Sequence, residues 1–412
     1  MVKKKLFGLM AIIVLSSVLV ACSEESGSSD GDENTISVWA MGEKGKKLKK
    51  FSKKFEEENP DLKVDVQAIP WDRAHDKLLT AVASGNGPDV VQLGTTWVAE
   101  FAEAGALMDL SEYVEDYPSF AKENYFNGSV STMKYDDQIV GIPWYVDTRV
   151  LYYRTDLLKE AGYEEPPKTW KELKDAASKL ADRGEEYYGL DIDRNDQITP
   201  FIFAWQNGYK ANLEENDLNF DSPEFKEAIK YYTSYFEEGI AQAQQGLDIV
   251  QAFKKGTKPM FFSGPWMINI INDQAPDLEG KWATAVMPKK VTNTSSMGGA
   301  NLSVFHNSDN VDGALKFISF MTQVDTQIEW LKASNTLPSR TEAWEKPIMK
   351  EDPMYATFGK QLEHTKPGLP TPQFERIAQE LLSTIERIVV GGADLEEELK
   401  KFNKTAQNLL EE

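Results

Sequence analysis

Residues 138–154 constrain the fold more than any other stretch of this chain. Gln138, Ile139 and Val140 read as one strand, and Val150 to Tyr153 as a second, strongly apolar one. Pro143 stands between them. Proline fixes φ and cannot donate to a sheet, so one strand is expected to stop near Pro143 and another to begin after it. Trp144, Tyr145, Asp147 and Arg149 fill the gap. Such a run suits a chain leaving one sheet and entering another, with polar and aromatic side chains between two lobes. The competing reading is a single edge strand carrying a surface aromatic pair. Length favours two lobes, because 412 residues exceed one ordinary core.

A net charge of -21 argues against nucleic acid, whose phosphates would be repelled. Cys22 is the one cysteine, which excludes a disulfide within the chain and a cysteine-based zinc site. His75, His306 and His364 are too scattered for histidine ligation, so no metal or cofactor is expected. Lys3, Lys4 and Lys5 precede an apolar run from Leu6 to Val20, too short for a comfortable membrane span. The run ends Leu19-Val20-Ala21-Cys22, which resembles a bacterial lipobox. In such a motif the cysteine is lipidated and becomes the mature N-terminus, on the outer face of the cytoplasmic membrane. An ordinary signal peptide, cut nearby to leave a free thiol, is the alternative. Residues 1–22 are therefore read as signal and lipobox. Residues 23–34, all Ser, Gly, acid and Asn, are read as a disordered tether.

Beyond the tether, strands and helices alternate. Thr35 to Met41 reads as a strand, Glu43 to Glu58 as a helix, and Leu62 to Val66 as a strand. Trp71 to Ser84 is the next predicted helix and Val90 to Leu93 a buried strand, after which Thr96 is expected to cap a helix. This alternation implies an α/β fold whose first lobe holds a mostly parallel sheet. Later expectations are helices capped at Thr169 and Ser222, strands near Pro259–Phe262 and Trp282–Met287, and helices over 372–390 and 394–410. Gly298-Gly299-Ala300-Asn301 is read as a second crossing between lobes, and Leu337 to Arg340 as a third. The lobes are thus expected over 35–145 plus 300–345, and over 146–299 plus 346–412. Asp191 to Asn195 looks superficially like a calcium loop, but Asp196 replaces the required glycine and Ile202 the closing glutamate. It is read as a polar loop.

In its overall pattern the chain resembles the family 1 extracellular solute-binding proteins, the maltose/trehalose-binding-like lipoprotein receptors of carbohydrate ABC importers. The lipobox carries the resemblance, with Ile36-Ser37-Val38-Trp39 and Phe55-Glu56-Glu57-Glu58-Asn59-Pro60. So do Gly87-Pro88-Asp89-Val90-Val91, Gly141-Ile142-Pro143-Trp144 and Gly264-Pro265-Trp266. The resemblance implies a type II periplasmic-binding-protein-like fold, two α/β lobes on a multi-crossing hinge. It also implies a monomer that closes on sugar and docks on the permease of an importer.

Ligands of open α/β sheets bind beyond the carboxyl ends of strands. Sugar rings pack their C–H faces on indole, and their hydroxyls need polar partners. Trp39, Trp71, Trp97, Trp144 and Trp266 fall in such predicted places, with Glu43, Thr96, Asp147, Gln206, Asn301 and Arg340 as polar candidates. Trp205 and Gly299 join them, while Trp170, Trp282, Trp330 and Trp344 read as packing residues. The resemblance singles out Met41 to Glu43, Thr95 to Trp97, Tyr145 with Asp147, and Trp266. More loosely, it points to Phe374 and Arg376. A binding protein is the leading expectation, of an oligosaccharide because Trp39, Trp71, Trp97, Tyr145 and Trp266 are more rings than the two aromatic faces that can sandwich one sugar. A surface-anchored glycosidase would need two carboxylates flanking a bond, and no catalytic motif supports one. An iron receptor would use tyrosine pairs such as Tyr187-Tyr188 or Tyr231-Tyr232, which ordinary helix or strand patterning explains.

Overall fold

The computed structural model describes residues 34–244 and 246–411, so the lipobox and most of the tether lie outside it. Among the described residues nine strands build two larger sheets. They are β1 (Thr35–Met41), β2 (Lys63–Ile69), β3 (Val90–Gly94), β4 (Ile142–Asp147), β5 (Val150–Arg154), β6 (Met260–Ser263), β7 (Trp282–Ala285), β8 (Gly298–Val304) and β9 (Leu337–Pro338). The first sheet has the order β9-β4-β8-β3-β1-β2 and the second β6-β5-β7. β1, β2 and β3 are parallel, joined through helices as alternation implies. The mostly parallel sheet expected from that alternation is in fact mixed. β8 returns antiparallel to β3, and β4 and β9 continue antiparallel, because they come from crossings and not from βα units. The second sheet is wholly antiparallel.

Pro143 does not end a strand, contrary to expectation; β4 runs through it to Asp147. Its partner β8 shifts register between Ala300 and Asn301, opposite Tyr145 and Pro143. A missing N–H is tolerated at such an irregularity, and the Pro143 carbonyl accepts from Ser339 Oγ at 2.5 Å. The chain changes sheets over Thr148 and Arg149, between β4 and β5. Trp144 is not at a cleft. It is wholly buried and stacked on Trp330, with ring centroids 5.2 Å apart.

The first sheet is packed on both faces. Ile36, Val38, Leu48, Phe55, Ile142, Leu302 and Phe317 fill one side, and Met41, Leu78, Leu93, Phe101 and Phe305 the other. A separate core joins Leu151 of β5 to Trp170, Phe201, Phe225, Leu381 and Phe402. A fourth cluster packs the crossing, with Val146 and Leu337 beside Val150, Tyr152 and Phe358. Burying each such side chain contributes about 1.5–3 kcal/mol. No helix among the described residues is long and apolar enough to cross a membrane.

Candidate binding cleft

Beyond the carboxyl ends of β2 and β3, two indoles meet. Trp71 opens the helix Trp71–Ser84 and Trp97 precedes the helix Val98–Glu103. Their rings form a T at 5.4 Å. Trp71 is 41% exposed, which a core residue of its size would not be. Gly42 begins the helix Gly42–Phe51 with φ +61, and a side chain there would meet Trp71 Cδ1 at 3.0 Å. The backbone before Glu43 thus passes close beneath the Trp71 ring. Glu43 itself points to solvent and pairs with Lys46 at 2.5 Å. Thr96 lies half-buried in the turn before Trp97, but it does not cap the helix; Trp97 holds the cap position without a side-chain bond.

One residue on, Lys44 reaches across to β4, its Nζ 3.8 Å from the Tyr145 ring centroid. Burial holds its amine down to about 8, partly offset by the nearby Asp147 carboxylate. The Tyr145 hydroxyl, kept neutral by burial and then by Asp147, accepts from Gln92 Nε2 at 3.0 Å. Asp147 in turn accepts from Arg149 Nη1 at 3.3 Å, and Arg149 Nε donates to Asp196 at 2.8 Å. Burial works against the Arg149 charge, but the two carboxylates raise its pKa on balance. The guanidinium also lies 4.9 Å from the Trp266 ring centroid. A run of contacts therefore leads from Trp71, past Gly42 and Lys44, through Tyr145, Asp147 and Arg149, to Trp266.

Trp266 and Arg149 line a cavity of about 930 Å³. Its other walls are the loop Asp191–Gln197, Gln242, Gln244, residues 246–249, and β6. Lys258 Nζ donates to Asp191 at 2.5 Å. The loop is thus held by Lys258 and Arg149, and among the described residues no cluster of three or more His, Cys, Asp or Glu could hold a metal. Burial pushes the Asp193 carboxyl up, with Asp196 and Asp191 adding to the effect. A smaller groove of about 550 Å³ lies between His75 and Trp97 on one side and Glu375, Arg376 and Gln379 on the other. Together these surfaces offer flat aromatic faces beside fixed donors and acceptors, the chemistry a polyhydroxylated ring requires.

Several candidates lie elsewhere. Trp39 is mid-strand in β1, half-buried beneath Lys77, whose Nζ is 4.1 Å from its ring centroid. Trp205 is buried in the core around Phe201. Gln206 is wholly buried, accepting from Trp170 Nε1 at 2.6 Å and donating to the Thr294 carbonyl at 3.0 Å. Asn301 donates to the Thr132 carbonyl at 2.5 Å. Arg340 is buried and donates to the Thr322 carbonyl and to Asn124 Oδ1, each at 3.0 Å. These three polar residues support backbone where cleft contacts were expected. Phe374 packs 5.4 Å from Phe201 in the core, whereas Arg376, two residues on, lines the groove. Gly299 contributes only backbone, its carbonyl accepting from Thr95 N at 3.4 Å.

Sequence reasoning missed Lys44, Asp191, Asp196 and Lys258, and left Arg149 off the site. Lys44 stood in a run of seven lysines that reads as a solvated face, and only the fold places it against Tyr145. The acidic loop carries a legible signal in its superficial likeness to a calcium loop. Its cationic partners are distant in sequence.

Comparison with known proteins agrees with this architecture. The sugar-binding protein MalE from the phytopathogen Xanthomonas citri is 33% identical, with a TM-score of 0.86 over 92% of this chain and 97% of that one. A solute-binding protein from Thermotoga lettingae, solved with α-D-tagatose, is 27% identical, with a TM-score of 0.81 over 92% of this chain and all of that one. The galactooligosaccharide-binding protein of Bacillus subtilis is 25% identical over 98% of this chain and 96% of its own. The fold is that of the type II periplasmic binding proteins. The sequence pattern of the family described as bacterial extracellular solute-binding protein, whose members are receptors and not enzymes, matches residues 40–328. This chain belongs to that family.

Proposed function

We propose that the protein is an extracellular receptor that binds a carbohydrate of two or more units and delivers it to the permease of an ABC importer. It works as a monomer, closing two lobes over the sugar, with a lipid on Cys22 as its only membrane attachment. The observation that carries the reading is the run of contacts from Trp71 and Trp97 to Trp266 through Lys44, Asp147 and Arg149. Aromatic stations at both ends of a charged row favour a ligand longer than one ring. The relatives named for a sugar and for galactooligosaccharides support the ligand class. The tagatose-bound relative makes a monosaccharide the competing outcome.

Titration calorimetry with matched mono-, di- and trisaccharides tests the proposal. Affinity is expected to rise with length. Trp266→Ala is expected to weaken binding by about tenfold to a hundredfold, the loss of about 1.5–3 kcal/mol of buried aromatic face. Tightest binding to the monosaccharide would defeat the oligosaccharide reading. An unchanged Kd in a folded variant would remove Trp266 from the site.

A further inference from the structure

One histidine at the edge of the cleft is built into its aromatic platform. His75 follows Trp71 by four residues on the same helix, so the two share a face. Its ring forms a T with Trp97 at 5.3 Å and another with Phe101 at 5.7 Å. Trp97 is therefore held between Trp71 and His75, with Phe101 behind the histidine. His75 Nε2 lies 2.8 Å from Glu100 Oε2, and both side chains are only about a third exposed or less, at 31% and 26%. Glu100 stands in the first turn of the helix that Trp97 precedes. The ion pair thus ties the helix carrying Trp71 to the segment carrying Trp97.

We propose that His75 is a positioning residue whose proton-dependent bond to Glu100 sets the orientation of Trp97, and so couples the binding platform to pH. Imidazole titrates near pH 6.5 when unperturbed. When it is charged, the bond to Glu100 is charge-assisted and about twice as strong as a neutral one. When it is neutral, the clamp loosens and Trp97 gains freedom. Glu100 on the helix Val98–Glu103 is the charged group bonded to His75, and the groove it lines also holds Glu375, Arg376 and Glu380 of the helix Phe374–Val389, Glu380 being paired with Arg387 at 3.1 Å. The helix Leu395–Leu410 contributes only Thr405 and Leu409 to that groove.

The ligand consequence rests on the function proposed above, but the positioning role does not. The decisive measurement uses the full chain without ligand, labelled with 15N at tryptophan indoles. The Trp97 indole signal is assigned by its loss in Trp97→Phe and followed from pH 5 to 7.5. It is expected to shift with a single midpoint. His75→Gln keeps a side-chain N–H donor but cannot titrate, and should abolish that shift. Glu100→Gln removes the carboxylate that the imidazolium would bind, and should shrink the shift. A Trp97 signal that does not move, or one that moves alike in His75→Gln, overturns the proposal. In a second arm, maltotriose is titrated at pH 5.5 and 7.5. Binding about twofold to fivefold weaker at pH 7.5, with no difference in His75→Gln, supports the coupling. A pH difference that persists in His75→Gln overturns it. Absence of maltotriose binding at both pH values counts against the ligand reading alone, and the ligand-free arm still decides the role of His75.

Discussion

Lys44 holds a charge where its surroundings oppose one. It lies over the Tyr145 ring, and burial brings its amine from 10.5 to about 8, with Asp147 offsetting part of the effect. In the unfolded chain the amine keeps its ordinary value. Between pH 8 and 10.5 the unfolded chain therefore holds more protons, and stability rises with pH across that window. At neutral pH the charged amine is a net cost. Lys44→Met, of similar length and without charge, is expected to gain about 1–3 kcal/mol at pH 7. That gain should shrink as pH climbs through the window. Urea denaturation of both proteins at pH 7 and 9.5 checks this, and a constant difference between them would refute it. At this scale the sequence showed the kinds of side chain the site needs, but not where they point. Gln206, Asn301 and Arg340 are the donor-rich residues a sugar would want, yet each satisfies backbone or a buried partner. A polar side chain near a strand end serves either purpose, and only the surrounding chain decides which. Trp71 and Trp97 came out at the surface because each begins or precedes a helix just past a strand, a position that sequence does report.

Elements whose rules are local were legible. The helix Trp71–Ser84 has the bounds its periodicity implies, and Thr169 and Ser222 cap their helices as read, Thr169 within a full capping box. The helix expected over Glu43 to Glu58 is broken at Ser52, where no glycine or proline gives warning. Strand order was not legible, because pairing joins segments far apart in sequence. Nor was the tolerance of β4 for Pro143, which depends on an irregularity in its partner. That partner supplies the prediction at this scale. Gly299 has φ +126, and a side chain there would stand 2.2 Å from the Tyr145 carbonyl oxygen and 2.8 Å from Val146 Cα. β8 would have to move away from β4. Gly299→Ala is expected to cost about 2–4 kcal/mol through strain and overpacking. Gly280→Ala, with φ +73 but nothing within 4 Å, should cost only about 1–2 kcal/mol. Equal urea midpoints for the two variants would show that the close approach of β8 and β4 is unimportant.

For the whole molecule, two sheets are joined where β4 passes into β5 through Thr148 and Arg149, and again where the chain returns to β8. The closure proposed above would need only a few residues to rotate. Small-angle scattering with a saturating sugar is expected to show a smaller radius of gyration; an unchanged curve would count against closure. Cys22→Ala should free the protein from membranes while sugar affinity stays the same, and retention on membranes after a salt wash would reject the lipid anchor. The order of the chain through the sheets has a further consequence, for biogenesis. The first sheet opens with β1 at Thr35 and is not complete until β9 ends at Pro338, with all of the second sheet made in between. The core around β5 waits longer still, since it includes Phe402 and Ala406 close to the C-terminus. The core around β5 therefore cannot close until the helix Leu395–Leu410 has been made, although all the strands of both sheets precede it. Contacts this far apart in sequence also slow the search for them. A nascent chain of this design holds one core open, its apolar side chains exposed, until residues near Phe402 have emerged, so that half of the molecule folds late.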